Sequence, residues 1–393
     1  MNIQQKGIIK IIQAALTQSK QELPEGFNFE EAVLVGKRHQ IASLLYYGAM
    51  NCGIPQGNPL MQELFNYTCK GILVSEQQLY AINKIFSSFD EKHIEYMPLK
   101  GTLLKKMYPK HEMRLMGDAD ILIKTEQYED IKAVMQELGY KEHIESDHEF
   151  IWSKQNVCIE LHKRLIPSYN KDYYEYYGDG WKLAKLNDNG TTRYKMTSED
   201  EMIYLFTHFA KHYRSAGIGI RHIIDLWVYR LNNSELDEIY IEKELKKLKL
   251  YDFYINIINT LEVWFGNFQE DAKTDLITTH IFNSGVYGTH EATVLSDAYR
   301  DSKSVGSANN VRIKKFLNLV FLPYKFMAEK YTILKKIPIL LPLMWVIRAI
   351  NVVLFKKKTI QSKVNDFETA NTQKVNDFGQ ALNFVGLDFN FEE

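Results

Sequence analysis

The amino-acid sequence predicts an α+β protein in which a mixed sheet with its own helices is embedded between helical regions at both ends of the chain. Three observations carry that expectation. Residues 1–88, and again the chain from 196 onward, repeat apolar residues at three- and four-residue steps, the period of a helix buried along one side. Between them, at 94–99 (IEYMPL), 118–123 (DADILI), 150–152 (FIW) and 157–162 (VCIELH), lie short runs rich in β-branched and aromatic residues. Glycine, proline and asparagine clusters punctuate the two kinds of segment. The expected organisation is an N-terminal helical region (1–88), a sheet-bearing core (89–195), a helical region packing on it (196–300) and a C-terminal helical region (301–393).

In the first region Ile8, Ile11, Ile12 and Ala15 share a helical face, and the same pattern runs through 29–50 and 60–89, broken at Pro24-Glu25-Gly26 and at 53–57 (GIPQG). His39, beside Lys37 and Arg38, reads as part of a surface-facing basic cluster.

The core begins with a short strand at 94–99, followed by Lys100-Gly101-Thr102 and a helical pattern through Leu103, Leu104 and Met107. Gly101 lets the backbone come close to a ligand, and the free amides of a helix start favour phosphate oxygens. Lys100 and Arg114 add positive charge there. Next, Asp118-Ala119-Asp120 opens an apolar strand. Side chains alternate across a strand, so both carboxylates point to one face with a repeat of roughly 6.6 Å. Like charges in a cleft raise each other's pKa, a penalty that a divalent cation removes, and hard oxygen ligands favour Mg2+ or Mn2+. A helix is expected from Thr125, its cap, to Leu138, with Gly139 ending it. The strand at 150–152 forms a hairpin, turning at 154–156, with a strand whose Val157, Ile159 and Leu161 share an apolar face and whose Glu160 and His162 share the polar one. Glu160 is the natural third carboxylate. Gly178-Asp179-Gly180 and Asn187-Asp188-Asn189-Gly190 read as turns.

The order strand, Gly-Thr, helix, Gly-Asp-Ala-Asp strand, helix, hairpin, Glu resembles the minimal nucleotidyltransferase fold shared with DNA polymerase β and the aminoglycoside nucleotidyltransferases. More narrowly, LKGTLLKKMYP, RLMGDADILI and IELHKRL are similar to an uncharacterised bacterial nucleotidyltransferase family. The likeness extends through HFAKHYRSAGIGIRHIIDL and into the C-terminal FLPYKFMAEKY and LLPLMWVIR stretches. It implies Asp118, Asp120 and Glu160 as catalytic metal ligands, with Lys100, Gly101, Thr102 and Arg114 on the triphosphate. The implied reaction moves a nucleoside monophosphate from a nucleoside triphosphate, ATP being the expected donor, to a hydroxyl-bearing acceptor with release of pyrophosphate. That acceptor, a small molecule, glycan or protein, is not written in the sequence. Thr102 stands where the superfamily usually has Ser, Glu160 where Asp is commoner, and the interval from Gly101 to Asp118 is longer than usual. A second reading therefore stays open: a nucleotide-sensing or scaffold protein on the same fold with a weakened metal site.

Further along, Ser198 and Glu201 have the spacing of a capping box. His208 and His212 are four apart and share a helix face, open to metal, phosphate or ordinary packing roles. Arg221 and Asp225 have the same spacing, which reads as a helix salt bridge or as a contact with the active cleft. The segment from Ile337 to Phe355 is apolar with lysines on both flanks. Pro338, Pro342, Arg348 and Asn351 argue against a membrane span and leave a buried helix or a helix lying on a membrane surface. KVNDF occurs twice, at 363–367 and 374–378. With 48 Lys and Arg against 49 Asp and Glu, the formal net charge of -1 gives no expectation of general nucleic-acid binding. Cys52, Cys69 and Cys158 form no metal-ligand spacing and read as reduced thiols, and the interrupted apolar run at the N-terminus predicts no export, so a cytoplasmic location is expected, with membrane-peripheral attachment as the variant.

Overall fold

Asparagine caps and apolar periodicity produce four N-terminal helices in the computed structural model, which describes residues 1–187, 191–305, 321, 324, 327–328, 331–355 and 369–389. These are α1 (Ile3–Thr17), α2 (Phe29–Arg38), α3 (Ala42–Asn51) and α4 (Pro59–Glu91). Asn2, Asn28 and Asn58 accept the first free amides of α1, α2 and α4, and Pro59 supplies a preset φ at the start of α4. α1 and α3 approach so closely that a Cβ on Gly48 would stand 1.9 Å from the carbonyl oxygen of Ile11.

The sheet is built from β1 (Tyr96–Pro98), β2 (Ala119–Ile123), β3 (Lys141–Glu145), β4 (Glu149–Lys154) and β5 (Val157–His162), in the order β1-β2-β5-β4-β3. Only β2 and β5 run parallel; the other neighbours are antiparallel. Between β1 and β2 come α5 (Gly101–Leu104) and a 3-10 turn at Lys105–Met107, and between β2 and β3 a 3-10 turn at Thr125–Gln127 and α6 (Tyr128–Glu137). The helix expected through Met107 is therefore only a turn of each kind, because Tyr108 precedes a proline and adopts the extended conformation such residues prefer. Thr125 opens a 3-10 turn rather than capping α6 with its side chain.

One face of the sheet is sealed. Ile82, Ile85, Phe86 and Phe89 of α4, with Ile131, Val134 and Met135 of α6, pack on Ala119, Ile121, Ile123, Trp152, Ile159 and Leu161. Phe86 stacks on Tyr96 at 4.7 Å between ring centroids. Each fully buried aliphatic or aromatic side chain there stabilises the fold by about 1.5–3 kcal/mol. β3 is an edge strand, exposed throughout, charged, and irregular between Glu142 and Ile144, all features that discourage pairing with another chain.

Beyond the sheet come α7 (Lys171–Tyr177), the small ribbon β6 (Lys185–Leu186) and β7 (Tyr194–Lys195), then α8 (Ser198–Ser215), α9 (Ile220–Asn232), α10 (Glu238–Lys247), α11 (Tyr251–Phe265) and α12 (Ala272–Ser284). The side-chain cap of α8 sits one residue earlier than the sequence suggests: Thr197 Oγ1 accepts the Asp200 amide and donates to Asp200 Oδ2. Gly178 and Gly180 take positive φ, and Asp179 accepts the Trp181 amide, so that triplet is a turn as expected. His39 is not on the surface. It is fully buried, its Nδ1 accepting the amide of Ile220 at the start of α9 and its Nε2 on the carbonyl of Phe282 in α12, where it satisfies a backbone group from each of two helices.

The chain divides into two compact units, Met1–Tyr213 with Ile218–Tyr287 and Val385–Glu393, and Arg214–Gly217 with Gly288–Phe384. The second contains α13 (His290–Val305), α14 (Leu341–Phe355) and α15 (Thr372–Phe384). Within it Gly379 lets α15 lie against the ring of Tyr299, and Met327, Ala328 and Leu334 form a small core with Met344 and Trp345. The second KVNDF copy lies in α15; the first, the lysines at 356–358 and the turn residues 188–190 fall outside the described residues. Among the described residues no helix is long and apolar enough to cross a membrane.

Candidate active site

Strand register assembles the site. Asp120 stands opposite Glu160 across the parallel β2–β5 pair, and Glu149 stands opposite His162 across the antiparallel β4–β5 pair. Their chain neighbours Ala119, Ile121, Phe150, Ile159 and Leu161 lie in the core, so alternation sends these four side chains the other way, into a cavity of about 330 Å3. Asp118, immediately before β2, lines the same cavity. The three carboxylates expected from the sequence thus meet in one place.

Their charges are unevenly balanced. Lys100 Nζ lies 2.7 Å from Asp120 Oδ1, and His162 Nε2 lies 2.9 Å from the same oxygen and 3.6 Å from Glu160 Oε2. Burial opposes ionisation of Asp120, but Lys100 and His162 outweigh it and hold the carboxyl well below the usual range. Asp118 has the opposite fate: burial, then Asp120 and Glu160, push it up to about 6. Lys100 reaches Asp120 from a backbone with φ 43°, a conformation that favours glycine and costs a lysine about 1–3 kcal/mol. Gly101 beside it has no room for a side chain, since a Cβ would stand 2.8 Å from Arg114 Nη1.

The opposite wall comes from α8 and α9. His208, Lys211, His212, Arg221 and His222 line the cavity, with His208 Nε2 and His212 Nε2 3.1 Å apart. Burial lowers the pKa of all three histidines, and burial together with Lys100 brings Lys211 down to about 8. Arg221 Nη1 donates to Gln40 Oε1 and to the carbonyl of Leu115, while its Nε is buried without a partner.

Two residues expected at the phosphates are placed differently from their neighbours. Thr102 is buried, its hydroxyl 3.5 Å from the Asp120 carbonyl, and it does not line the cavity. Arg114 does line it, but its guanidinium is engaged in a two-pronged pair with Asp225, at 2.8 and 2.9 Å, and Tyr108 donates to the same carboxylate. Asp225 therefore pairs across 111 residues of sequence rather than with Arg221 one turn away. This buried pair fastens the loop carrying Arg114 to α9 at the cavity.

His148, Glu149, Lys211 and His222 were not identified from the sequence as site residues. Glu149 had a signal: counting back along both arms of the hairpin from its turn places it opposite His162. His162 shares the face of Glu160 by alternation alone. The α8 and α9 residues had only helical spacing, which does not say what the face meets.

Two solved structures are similar over part of the chain. A solution structure of the antibiotic-resistance factor ANT(2'')-Ia matches at 14% identity and a TM-score of 0.33, covering 48% of this chain and 96% of that one. A crystal structure of ANT(2'')-Ia in complex with adenylyl-2''-tobramycin matches at 14% identity and a TM-score of 0.34, covering 44% and 97%. No curated protein matches the sequence. The family described as uncharacterised nucleotidyltransferase matches residues 25–266, more than half of the chain and a span that includes every carboxylate of the site. The chain belongs to that family, and nucleotidyl transfer is its class of chemistry.

Proposed function

We propose that this protein transfers a nucleoside monophosphate from a nucleoside triphosphate, with ATP as the donor, to the hydroxyl of a small acceptor in a reaction that depends on Mg2+ or Mn2+. The observation that carries the reading is the meeting of Asp118, Asp120 and Glu160 on one cavity face, opposite a wall of histidines, Lys211 and Arg221. The donor set fits a divalent cation: Asp120, Glu160 and His162 place ligand atoms within 4.8 Å of one another, and Asp118, lining the same cavity, is pushed up to about 6 by its burial and by its like-charged neighbours. When bound there, such a cation would neutralise phosphate charge and make the acceptor hydroxyl easier to deprotonate. Lys100, Lys211 and Arg221 bind the phosphates, drawing the triphosphate between the two walls. Glu160 takes the proton of the acceptor hydroxyl as its oxygen forms a bond to the α-phosphorus. The bond from that phosphorus to the bridging oxygen breaks, and pyrophosphate leaves. Gly101 supports the turn that presents Lys100, and Thr102 packs beneath Asp120.

Calorimetric titration of ATP, GTP, CTP and UTP with Mg2+, on the wild type and on an Asp118→Asn, Asp120→Asn double variant, tests the reading. Metal-dependent binding of one nucleotide that disappears in the variant is expected. Retained turnover in Asp118→Asn would overturn the assignment. One observation favours the nucleotide-sensing alternative, namely that Lys100 already pairs with Asp120; nucleotide binding with no pyrophosphate release across a panel of acceptors, together with a stably bound partner recovered in a pull-down, would select it. Membrane-surface contact is favoured by the exposure of Ile337, Ile339, Leu343 and Val346 around the start of α14, and liposome flotation that fails with both anionic and neutral lipids would remove it.

A further inference from the structure

His162 turns its two ring nitrogens to two different neighbourhoods. Nε2 lies 2.9 Å from Asp120 Oδ1. An ionised carboxylate only accepts hydrogen bonds, so Nε2 carries a proton. That Nδ1 is buried without any hydrogen-bond partner, on a residue only 2% exposed. It faces Glu149 Oε2 at 3.9 Å, too far for a hydrogen bond to bridge the gap. Glu149 Oε2 in turn lies 2.9 Å from His148 Nε2. A buried ring nitrogen without a hydrogen-bond partner, aimed at a carboxylate across that gap, leaves a place for a cation that displaces any proton on Nδ1.

We propose that His148, Glu149 and His162 form a binding site for one divalent ion that prefers nitrogen ligands, of the Zn2+ or Co2+ type, separate from the Asp118, Asp120 and Glu160 site. One ligand atom from each of the three falls within 4.8 Å of the others. Neighbouring ligand atoms of a tetrahedral zinc site, at about 2.0–2.1 Å from the metal, are roughly 3.3 Å apart, and the two contacts to Glu149 fall on either side of that value. Two imidazole nitrogens and a carboxylate suit Zn2+ or Co2+ better than Mg2+. The outer contacts fit as well. Imidazoles that bind metal are held by a hydrogen bond at the other ring nitrogen. Here His162 has Asp120 at Nε2, and His148 has Ser146 Oγ at 3.4 Å from Nδ1. All three residues line the cavity, which provides a path of entry. An ion there holds His162 in the tautomer that donates to Asp120, and so joins this site to the carboxylate site through a single ring.

The test is titration of chelator-stripped full-length protein with Co2+, followed by visible absorption, and with Zn2+, followed by calorimetry. With Mg2+ in excess to occupy the carboxylate site, the wild type should bind one equivalent. His148→Ala and Glu149→Gln should each weaken that binding by at least about 10- to 100-fold, the loss that removing an outer-shell partner alone causes, whereas Asp118→Asn and His212→Ala should leave it within about twofold. Circular dichroism confirms that each variant is folded, and the two ligand variants are independent, so one can stand if the other does not fold. The proposal is overturned if the stripped wild type binds neither ion, if both ligand variants bind as the wild type does, or if binding follows Asp118 or His212. Because Mg2+-dependent nucleotide binding is read separately on Asp118→Asn, either proposal can fail without the other.

Discussion

The two faces of the central sheet are made by the same strands and differ in almost everything else. On the α4–α6 side, residues 119, 121, 123, 159 and 161 are apolar and almost fully excluded from solvent. On the other side, residues 118, 120, 149, 160 and 162 gather charge around an open cavity. The first face does its work by contact area, and each of its residues can be exchanged for another of similar shape. The second works through a few atoms placed to within a bond length, held by partners from distant parts of the chain. Stability should therefore be lost on one face and chemistry on the other.

The largest effect is expected on the sealed face. Phe89, fully buried and edge-on to Tyr96, leaves a cavity when truncated. Phe89→Ala should cost about 3–5 kcal/mol in urea denaturation, while nucleotide affinity per folded molecule stays as in the wild type. On the open face, Asp118→Asn should reduce turnover by about 10²–10³-fold, with a melting temperature no lower than the wild type, because it removes a like charge from a crowded cluster. If Phe89→Ala lowered nucleotide affinity, or Asp118→Asn unfolded the protein, the division of labour between the faces would be wrong.

The contrast also explains how much could be read from the sequence. Alternation is a local property, so the apolar stripe of β5 and the shared face of Glu160 and His162 are legible in six consecutive residues. β3 was not anticipated, because KEHIE is charged and fully exposed and carries no apolar alternation. The partners on the open face are long-range. Nothing near Arg114 indicates that Asp225 will take its guanidinium, and nothing near His39 indicates that a helix start and a helix end will meet at its ring. Helical spacing brought His208 together with His212 but left open that the pair would face carboxylates across a cavity. Backbone strain is likewise silent in sequence: Lys100 occupies a conformation that favours glycine, and a lysine there gains the ion pair with Asp120.

A smaller effect should separate the two walls of the cavity. Lys211 is brought down to about 8 by burial and by Lys100, so its charge is lost as pH rises through that value. If it binds phosphate, nucleotide affinity should fall about tenfold between about pH 7 and about pH 9.5, the scale of one charged hydrogen bond. Lys211→Arg keeps its charge over that range and should flatten the profile, as followed by calorimetry. An unchanged slope would remove Lys211 from the phosphate contacts and leave that role to Arg221 and Lys100.

The smallest effect concerns Glu201, which the sequence placed in a helix cap and the structure leaves half-buried in the first turn of α8. Thr197 and Asp200 cap α8 instead, and burial pushes the Glu201 carboxyl up to about 7. Between the ordinary carboxylate range and about 7, the folded chain holds a proton there that the unfolded chain has released. Stability must therefore fall as pH rises through that window, and the whole penalty is in place above it. Below about pH 4 both states hold the proton and the penalty vanishes. Glu201→Gln removes the titration while keeping the shape, so it should raise stability by about 1 kcal/mol at about pH 8, partial solvent access reducing the ~3 kcal/mol that the full shift implies, and leave it unchanged at about pH 4. Urea denaturation at the two pH values reads the difference. Equal gains at both would mean that the carboxyl is fully hydrated in the folded state and that its partial burial has no electrostatic cost.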